Sequence, residues 1–240
     1  MAQIDQLQKI ISSSNNIVFF GGAGVSTESG IPDFRSVNGL YNQHYKYPPE
    51  EMLSHTFYVK HTIEFFDFYR EKLIFPQAKP NNAHNKLAEL EQAGKLKAVI
   101  TQNVDGLHQM AGSKTVIELH GSIKRNYCER CKTIFDEDFI MNSSGIPTCP
   151  CGGIVRPDVV LYEEGLDRGT MQQAVSYISK ADVLIVAGTS LVVYPAAGMI
   201  DYYHGNKLVL INRASTLTDS KANLLIQANV GEVLGRITIE

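Results

Sequence analysis

Three polar clusters, each placed where an apolar run ends, carry side chains able to bind or transfer charged groups. The first is Ile17–Ser36, IVFFGGAGVSTESGIPDFRS, in which apolar residues give way to glycines and then to hydroxyls, acids and an arginine. Without a Cβ at Gly21, Gly22 and Gly24 the backbone can take φ > 0 and approach a ligand, its N–H groups turned toward a phosphate. The cluster reads as an anion cradle or as no more than a tight strand-to-helix turn. Gly22-Ala23-Gly24 supplies the first two glycines of a dinucleotide fingerprint, while Thr27 stands where the third belongs. In the second cluster, Gln102-Asn103-Val104-Asp105-Gly106-Leu107-His108, an Asn and an Asp flank an apolar Val, a set suited to holding an amide and a ribose with water kept off. The third, His120-Gly121-Ser122, offers an imidazole that can work as a base near neutral pH. A lone histidine is more often simply packed or solvent-facing, and His44, His55, His61, His84, His108 and His204 are read that way. Gly188-Thr189-Ser190 and Asn212-Arg213 suit phosphate and adenosine-ribose hydroxyls, or are ordinary loop and cap residues.

The four cysteines form a separate site. Cys128 and Cys131 make a C-x2-C arm, and after seventeen residues Cys149 and Cys151 make a C-x-C arm. Where disulfides are disfavoured, four thiolates suit a tetrahedral Zn²⁺, and a redox CxxC is the alternative. Four filled positions leave no open site, so catalysis belongs elsewhere.

These clusters need a frame, and the apolar periodicity supplies one. Ile4, Leu7, Ile10 and Ile11 recur at helical spacing before the run Ile17–Phe20. Helical Asn82–Gln92, extended Lys97–Thr101, helical Leu107–Met110 and extended Thr115–Leu119 follow. Later the β-rich runs Val183–Ala187 and Leu208–Ile211 are each preceded by a helical segment, Gln172–Ser179 and Ala196–Tyr203. Strands separated by crossover helices build a parallel sheet with ligands at its carboxyl edge, where all the polar clusters fall. Two segments break the alternation. Tyr41–Phe75 carries Val59, Ile63, Phe66, Tyr69 and Leu73 at spacings of four and three, predicting a helical lid or wall with one apolar face; Asn126–Val155, holding every cysteine, reads as a metal-stabilised insertion.

Composition excludes several classes. With 44% hydrophobic and 20% charged residues and a net charge of -3, the chain lacks the basic excess of a nucleic-acid binder. No apolar stretch reaches membrane-spanning length and MAQIDQLQKIISSSNN is neither a signal nor a transit peptide, so a cytoplasmic protein is expected.

In order and approximate spacing, GAGVSTESGIPDFRS, TQNVDGLH, ELHGS, the cysteine arms, VRPDVVLYEE, GTSLVVYPAA and INR resemble the sirtuins, the NAD-dependent protein deacylases, and among them the compact bacterial members. The resemblance spans nearly the whole chain. It implies an α/β fold: a Rossmann-like parallel sheet with helices on both faces, plus a small lobe of zinc ribbon and helical lid. One catalytic domain, 1–240, would divide into a large lobe (1–36, 80–122 and 156–240), a lid (37–79) and a zinc insertion (123–155). By the same resemblance Ala23, Gly24, Ser26, Thr27, Thr189 and Ser190 line the NAD site and Asn212 meets the adenosine side. Phe34 and Arg35 sit on a loop over the nicotinamide ribose, which Gln102, Asn103 and His120 surround, with Asn103 and His120 catalytic. Val104 and Asp105 receive the carboxamide. Val159, Val160 and Leu161 line a lysine tunnel whose flanks pair with an extended acetylated peptide. Glu163-Glu164 departs from the Gly-Glu common at this point, leaving the role of Glu163 open.

The implied reaction has the acyl oxygen of the substrate lysine attack C1′ of the nicotinamide ribose, giving an alkylamidate. His120 then takes a proton from a ribose hydroxyl that attacks the amidate carbon. Free lysine, nicotinamide and O-acetyl-ADP-ribose result, and the zinc is structural. In sirtuins that take succinyl- or malonyl-lysine, a Tyr and an Arg three residues apart bind the acyl carboxylate. Here EFFDFYREKL puts Phe66 and Tyr69 at those positions, so uncharged acyl groups are expected; Arg70 is the alternative source of charge, and plain helix packing the alternative role of both aromatics. A nicotinamide dehydrogenase would share the sheet and glycines but would not need four thiolates. A zinc-ribbon adaptor would leave GIPDFRS and QNVD without a role. Mono-ADP-ribosyl transfer would leave label from NAD on protein.

Overall fold

The parallel sheet dominates the computed structural model, which describes residues 2–36, 39–216 and 218–239. After α1 (Ala2–Ser12) come β1 (Ile17–Gly21), α2 (Pro49–Met52), α3 (His55–Lys60), α4 (Thr62–Lys72), α5 (Asn82–Gln92), β2 (Leu96–Thr101), α6 (Leu107–Met110) and β3 (Val116–Glu118). Then follow β4 (Gly121–Cys128), β5 (Ile134–Phe135), α7 (Glu137–Asn142), β6 (Val155–Val159), α8 (Arg168–Lys180), β7 (Val183–Ala187), β8 (Leu208–Ile211), β9 (Leu224–Ile226) and α9 (Val230–Leu234). Six strands pair in the order β3-β2-β1-β7-β8-β9, every pair parallel. All five residues of β1 and of β7 are buried, because a sheet covered on both faces needs apolar side chains at every position.

Alternate residues feed two cores. Ile17 and Phe19 of β1 pack with Leu7 and Ile11 of α1, Leu87 of α5 and Val233 of α9. Val18 and Phe20 face the opposite side with Ala174 and Ile178 of α8 and with Ala196 and Ile200. Helices therefore cover both faces, as the alternation predicts. The segment Ala196–Tyr202 is a 3-10 helix, and β9 and α9, too short to show periodicity, complete the sheet edge and its cover.

A third core joins the helical segment to the cysteine-bearing sheet β5-β4-β6: Phe57, Phe65, Phe66 and Tyr69 pack with Ile123, Ile140 and Val155. The single apolar stripe predicted here does not form. The chain breaks at His61 (φ -131, ψ 48), which separates α3 from α4, and the inward face runs through Phe57, Phe65, Phe68 and Tyr69, offset from the predicted stripe. Val59 and Ile63 lie off that face and are 60% and 53% exposed, while Phe65, Phe66, Phe68 and Tyr69 turn inward.

Parallel pairing brings Gly21, Thr101, Glu118, Ala187 and Ile211 to one edge, so the loops that follow them converge. Among the described residues, no helix is long and apolar enough to cross a membrane.

Candidate active site

At that edge the loop after β1 turns through the 3-10 helices Ala23–Val25 and Thr27–Ser29. Its glycines serve close approach rather than left-handed backbone: positive φ occurs at Gly30, Gly106, Gly121 and Gly188 but not at Gly21, Gly22 or Gly24. The Gly24 N–H donates to Gly188 O at 2.8 Å, and a Cβ on Gly24 would meet Gly188 Cα at 2.7 Å. The two loops can touch only without that methyl. Thr27, at the third glycine's place, turns its hydroxyl back to donate to Gly24 O at 3.0 Å. Ala23 is half-buried beside it.

Ser26, 1% exposed, links the loops after β1 and β2. Its hydroxyl donates to Asp105 Oδ2 at 2.6 Å and accepts from Asn103 Nδ2 at 3.0 Å. Asp105 Oδ1 accepts from the Leu107 N–H at 2.9 Å, so both carboxylate oxygens are held. Gln102 Nε2 donates to Thr189 Oγ1 at 3.0 Å, and the Thr189 N–H donates to Asn212 Oδ1 at 3.0 Å. Gln102, Thr189 and Asn212 thereby join the loops after β2, β7 and β8, with Ser190 exposed at the rim. The Asn212 Nδ2 is buried with no partner among the described residues. An amide donor left open at this edge fits a ribose hydroxyl or phosphate oxygen, which supports a nucleotide at the edge.

His120 lies in the turn between β3 and β4. Its Nδ1 lies 2.9 Å from Gln102 O; a carbonyl only accepts, so Nδ1 carries the proton of the neutral ring and Nε2 is left basic. Burial holds the imidazole below its ordinary pKa, the Gln102 bond opposing in part, so the basic form prevails at neutral pH. The His120 carbonyl accepts the Val160 N–H at 3.0 Å, placing the histidine against the exit of β6. Gly121 pairs with Val159, and a Cβ there would sit 1.9 Å from Asp158 O. Val104 supports the same region through its carbonyl, which accepts the Ile123 N–H at 2.9 Å.

The β6 exit is held from several directions, by contacts the sequence reading did not assign. The Leu161 N–H donates to Glu164 Oε2 at 3.0 Å, and Glu164 accepts from Arg156 and lies 2.8 Å from His55 Nδ1. The Arg156-to-Glu164 spacing in VRPDVVLYEE was the available signal. Val159 and Val160 are half-buried and Leu161 is 4% exposed. Glu163, where the resemblance expects glycine, does adopt positive φ (73), and its carboxylate accepts the Thr56 N–H at 2.9 Å near the start of α3. Phe34 is half-buried and Arg35 exposed on the loop fastened by Asp33, whose Oδ1 accepts from the N–H groups of Arg35 at 3.1 Å and Ser36 at 2.8 Å.

Phe66 and Tyr69 are both 0% exposed inside the third core, so neither offers surface to an open acyl pocket. Arg70 is committed elsewhere: its guanidinium donates to Ile140 O at 3.0 Å and Ser143 Oγ at 2.9 Å and lies over the Phe66 ring.

The four Sγ atoms of Cys128, Cys131, Cys149 and Cys151 lie within 4.8 Å of one another. Cys128–Cys151 and Cys131–Cys149 are 3.4 and 3.6 Å apart, close to the ~3.8 Å edge of a tetrahedron with Zn–S bonds of ~2.3 Å. The donor set fits Zn²⁺. β4 bulges between Ser122 and Asn126, so Gly121 and Cys128 lie opposite Val159 and Val155, four residues apart on β6; at ~3.3 Å per residue that is about 13 Å, and the metal lies outside reach of the histidine.

A Sir2 family model matches residues 22–195. An NAD-dependent protein deacetylase of Clostridium perfringens is 62% identical over 239 residues, covering 98% of each chain. Another from Clostridium acetobutylicum is 62% identical over 236 residues, covering 97% of this chain and 96% of that one. A Sir2 structure with a p53 peptide and NAD+ superposes with a TM-score of 0.85 at 42% identity, covering 97% of this chain and 96% of that one.

Proposed function

From the premise that the chain belongs to the Sir2 family, we propose that it removes acetyl groups from protein lysine side chains in an NAD-dependent reaction, releasing nicotinamide and O-acetyl-ADP-ribose. The observation that carries this reading is the position of His120, bonded on one side to Gln102 at the edge that would hold NAD and on the other to Val160 at the strand that would hold peptide.

NAD supplies an electrophilic C1′ on its nicotinamide ribose, a leaving group in nicotinamide and the ribose hydroxyl that finally takes the acyl group. Each residue of the site then has one task. The N–H groups of Ala23 and Thr27 and the hydroxyls of Thr189 and Ser190 are offered to the pyrophosphate, Gly24, whose own N–H is spent on Gly188 O, lets the loops approach, and Asn212 gives its free amide to the adenosine ribose. Ser26 fixes Asn103 and Asp105; Asp105 and Val104 meet the carboxamide while Val104 keeps water off. Phe34 and Arg35 cover the nicotinamide ribose. Gln102 sets the tautomer of His120, whose Nε2 takes the ribose hydroxyl proton at a pKa that burial keeps low enough for the base to be free. Val159, Val160 and Leu161 wall the lysine side chain, and the peptide adds as a strand beside them. Cys128, Cys131, Cys149 and Cys151 would hold Zn²⁺ as a cross-link of the smaller lobe, and such thiolates persist in a reducing compartment, which supports a cytoplasmic location.

Incubation with NAD and an acetyl-lysine peptide, followed by mass analysis, tests the proposal. Equal amounts of deacetylated peptide, nicotinamide and O-acetyl-ADP-ribose are expected. Growth of reduced-cofactor absorbance, or label from NAD retained on the peptide, would contradict it.

A further inference from the structure

Tyr41 and Tyr162 have no part in the chemistry above, yet their hydroxyls are hydrogen-bonded to each other between segments far apart in the chain. Tyr41 lies in the 3-10 turn Leu40–Asn42 that closes the Asp33–Ser36 loop. Its N–H donates to Phe34 O at 2.8 Å, its ring meets that of Phe34 edge-on at 5.5 Å, and the Arg35 guanidinium stands 5.2 Å from its ring centroid. Asn42 Nδ2 adds a bond to Ser36 O at 2.6 Å. Whatever fixes Tyr41 therefore fixes Phe34 and Arg35.

Tyr162 stands on the other half of the site, one residue beyond Leu161. Its backbone is anchored in both directions, donating to Leu53 O at 2.9 Å and accepting from the His55 N–H at 3.0 Å. The residue is 36% exposed, so its hydroxyl is not required to complete a core. Burial and the bond to Tyr162 push the Tyr41 phenol well above its ordinary pKa, keeping it protonated through the neutral range.

We propose that the Tyr41–Tyr162 hydroxyl pair is a clasp through which the acyl-peptide and the ADP-ribose part of NAD favour each other's binding, both tyrosines acting as positioning residues. The inference rests on the reading of Phe34 and Arg35 as the cofactor loop and of Val159–Leu161 as the peptide edge. A peptide that orders the β6 exit holds Tyr162 where Tyr41 meets it, and a nucleotide that orders the Phe34 loop holds Tyr41 where Tyr162 meets it. Linkage makes the effect reciprocal and measurable from either ligand.

The test is the affinity of an acetyl-lysine peptide, by calorimetry, with and without saturating ADP-ribose, for wild type, Tyr41→Phe, Tyr162→Phe and the double variant. Phenylalanine keeps the rings, and with them the Phe34 edge contact and the Arg35 stack. ADP-ribose is expected to tighten peptide binding by wild type. Each single change should reduce that tightening by about twofold to tenfold, the worth of one neutral hydrogen bond. The double variant should fall no lower than the singles, and each ligand alone should bind almost as before. A merely structural role would not move this coupling ratio. Unchanged coupling in the singles, losses that multiply in the double variant, or no coupling in a wild type that deacetylates would each overturn the clasp. A wild type that binds neither ligand would overturn the functional reading and the clasp with it.

Discussion

Acid should destabilise this protein through two histidines buried beneath the Asp105 loop. His84 of α5 and His108 of α6 are 0% and 1% exposed, their ring centroids 4.7 Å apart. His84 Nδ1 accepts the Asn81 N–H at 3.2 Å as part of the α5 cap; His84 Nε2 and both His108 nitrogens have no partner among the described residues. Burial pushes His84 down to about 4, Asp105 opposing, and holds His108 well below its ordinary value with His84 adding to the fall. Unfolded, both return to ~6.5, so between ~6.5 and the folded value the unfolded chain binds the extra protons. Stability is full above ~6.5 and is lost as pH falls. For His84 alone, 1.5 pH units below ~6.5 at 1.36 kcal/mol per unit gives a loss of about 2 kcal/mol at pH ~5. His108 adds a loss of the same sign. Glutamine at position 84 keeps an acceptor at the third helical position, as a capping box requires, while removing the titration. Urea unfolding of wild type and His84→Gln at pH ~7.5 and ~5 provides the assay, since contributions from carboxylates common to both largely cancel. The drop in stability on acidification should be smaller in His84→Gln by about 2 kcal/mol. An equal drop in both proteins would refute the buried neutral pair.

Cys128→Ser should release about one Zn²⁺ per chain and lower the melting temperature, activity falling only with the fold; metal-free wild type, or a melting curve unmoved by chelation, would count against the site. An acetylated peptide should be used about a hundredfold better, in kcat/KM, than its succinylated form, the cost of ~3 kcal/mol for burying a carboxylate without a partner. Phe66 and Tyr69 are buried in the third core and Arg70 is tied to Ile140 and Ser143, so none of the three supplies a charge to an acyl carboxylate, and equal or better use of the succinyl peptide would contradict this. The acid limb of kcat/KM should fall with decreasing pH at a midpoint below ~6.5, because burial lowers His120 and its neutral form is the base. A midpoint above ~6.5, measured where the fold is intact, would contradict that assignment.

The doubly buried strands were legible because both faces demand apolar residues: IVFF and VLIVA announce β1 and β7 in one dimension. The polar clusters were legible because parallel strands end at one edge. Three features escaped for reasons that are equally physical. Strand β9 has three residues and gains its place from β8, so no periodicity marks it. The inward face of α3 and α4 runs through Phe57, Phe65, Phe68 and Tyr69, and with apolar residues on the outward side as well, a stripe read through Val59 and Ile63 was offset from it. Gly24 was read for conformational freedom, whereas its missing Cβ matters for the approach of Gly188, a contact more than a hundred and sixty positions away. Hydrogen bonds such as Ser26 to Asp105 and His55 to Glu164 join residues whose types suggested polarity but whose partners depend on the folded chain.

The most direct test of the central claim is the turnover of an acetyl-lysine peptide with NAD by His120→Ala, alongside its melting curve and its affinity for ADP-ribose. His120 uses its side chain on Gln102 O and only its backbone on Val160, so the variant should fold and bind nearly as wild type does. Turnover should fall by about two to four orders of magnitude, the scale of a lost general base. A folded variant that binds ADP-ribose and deacetylates near the wild-type rate would contradict the account.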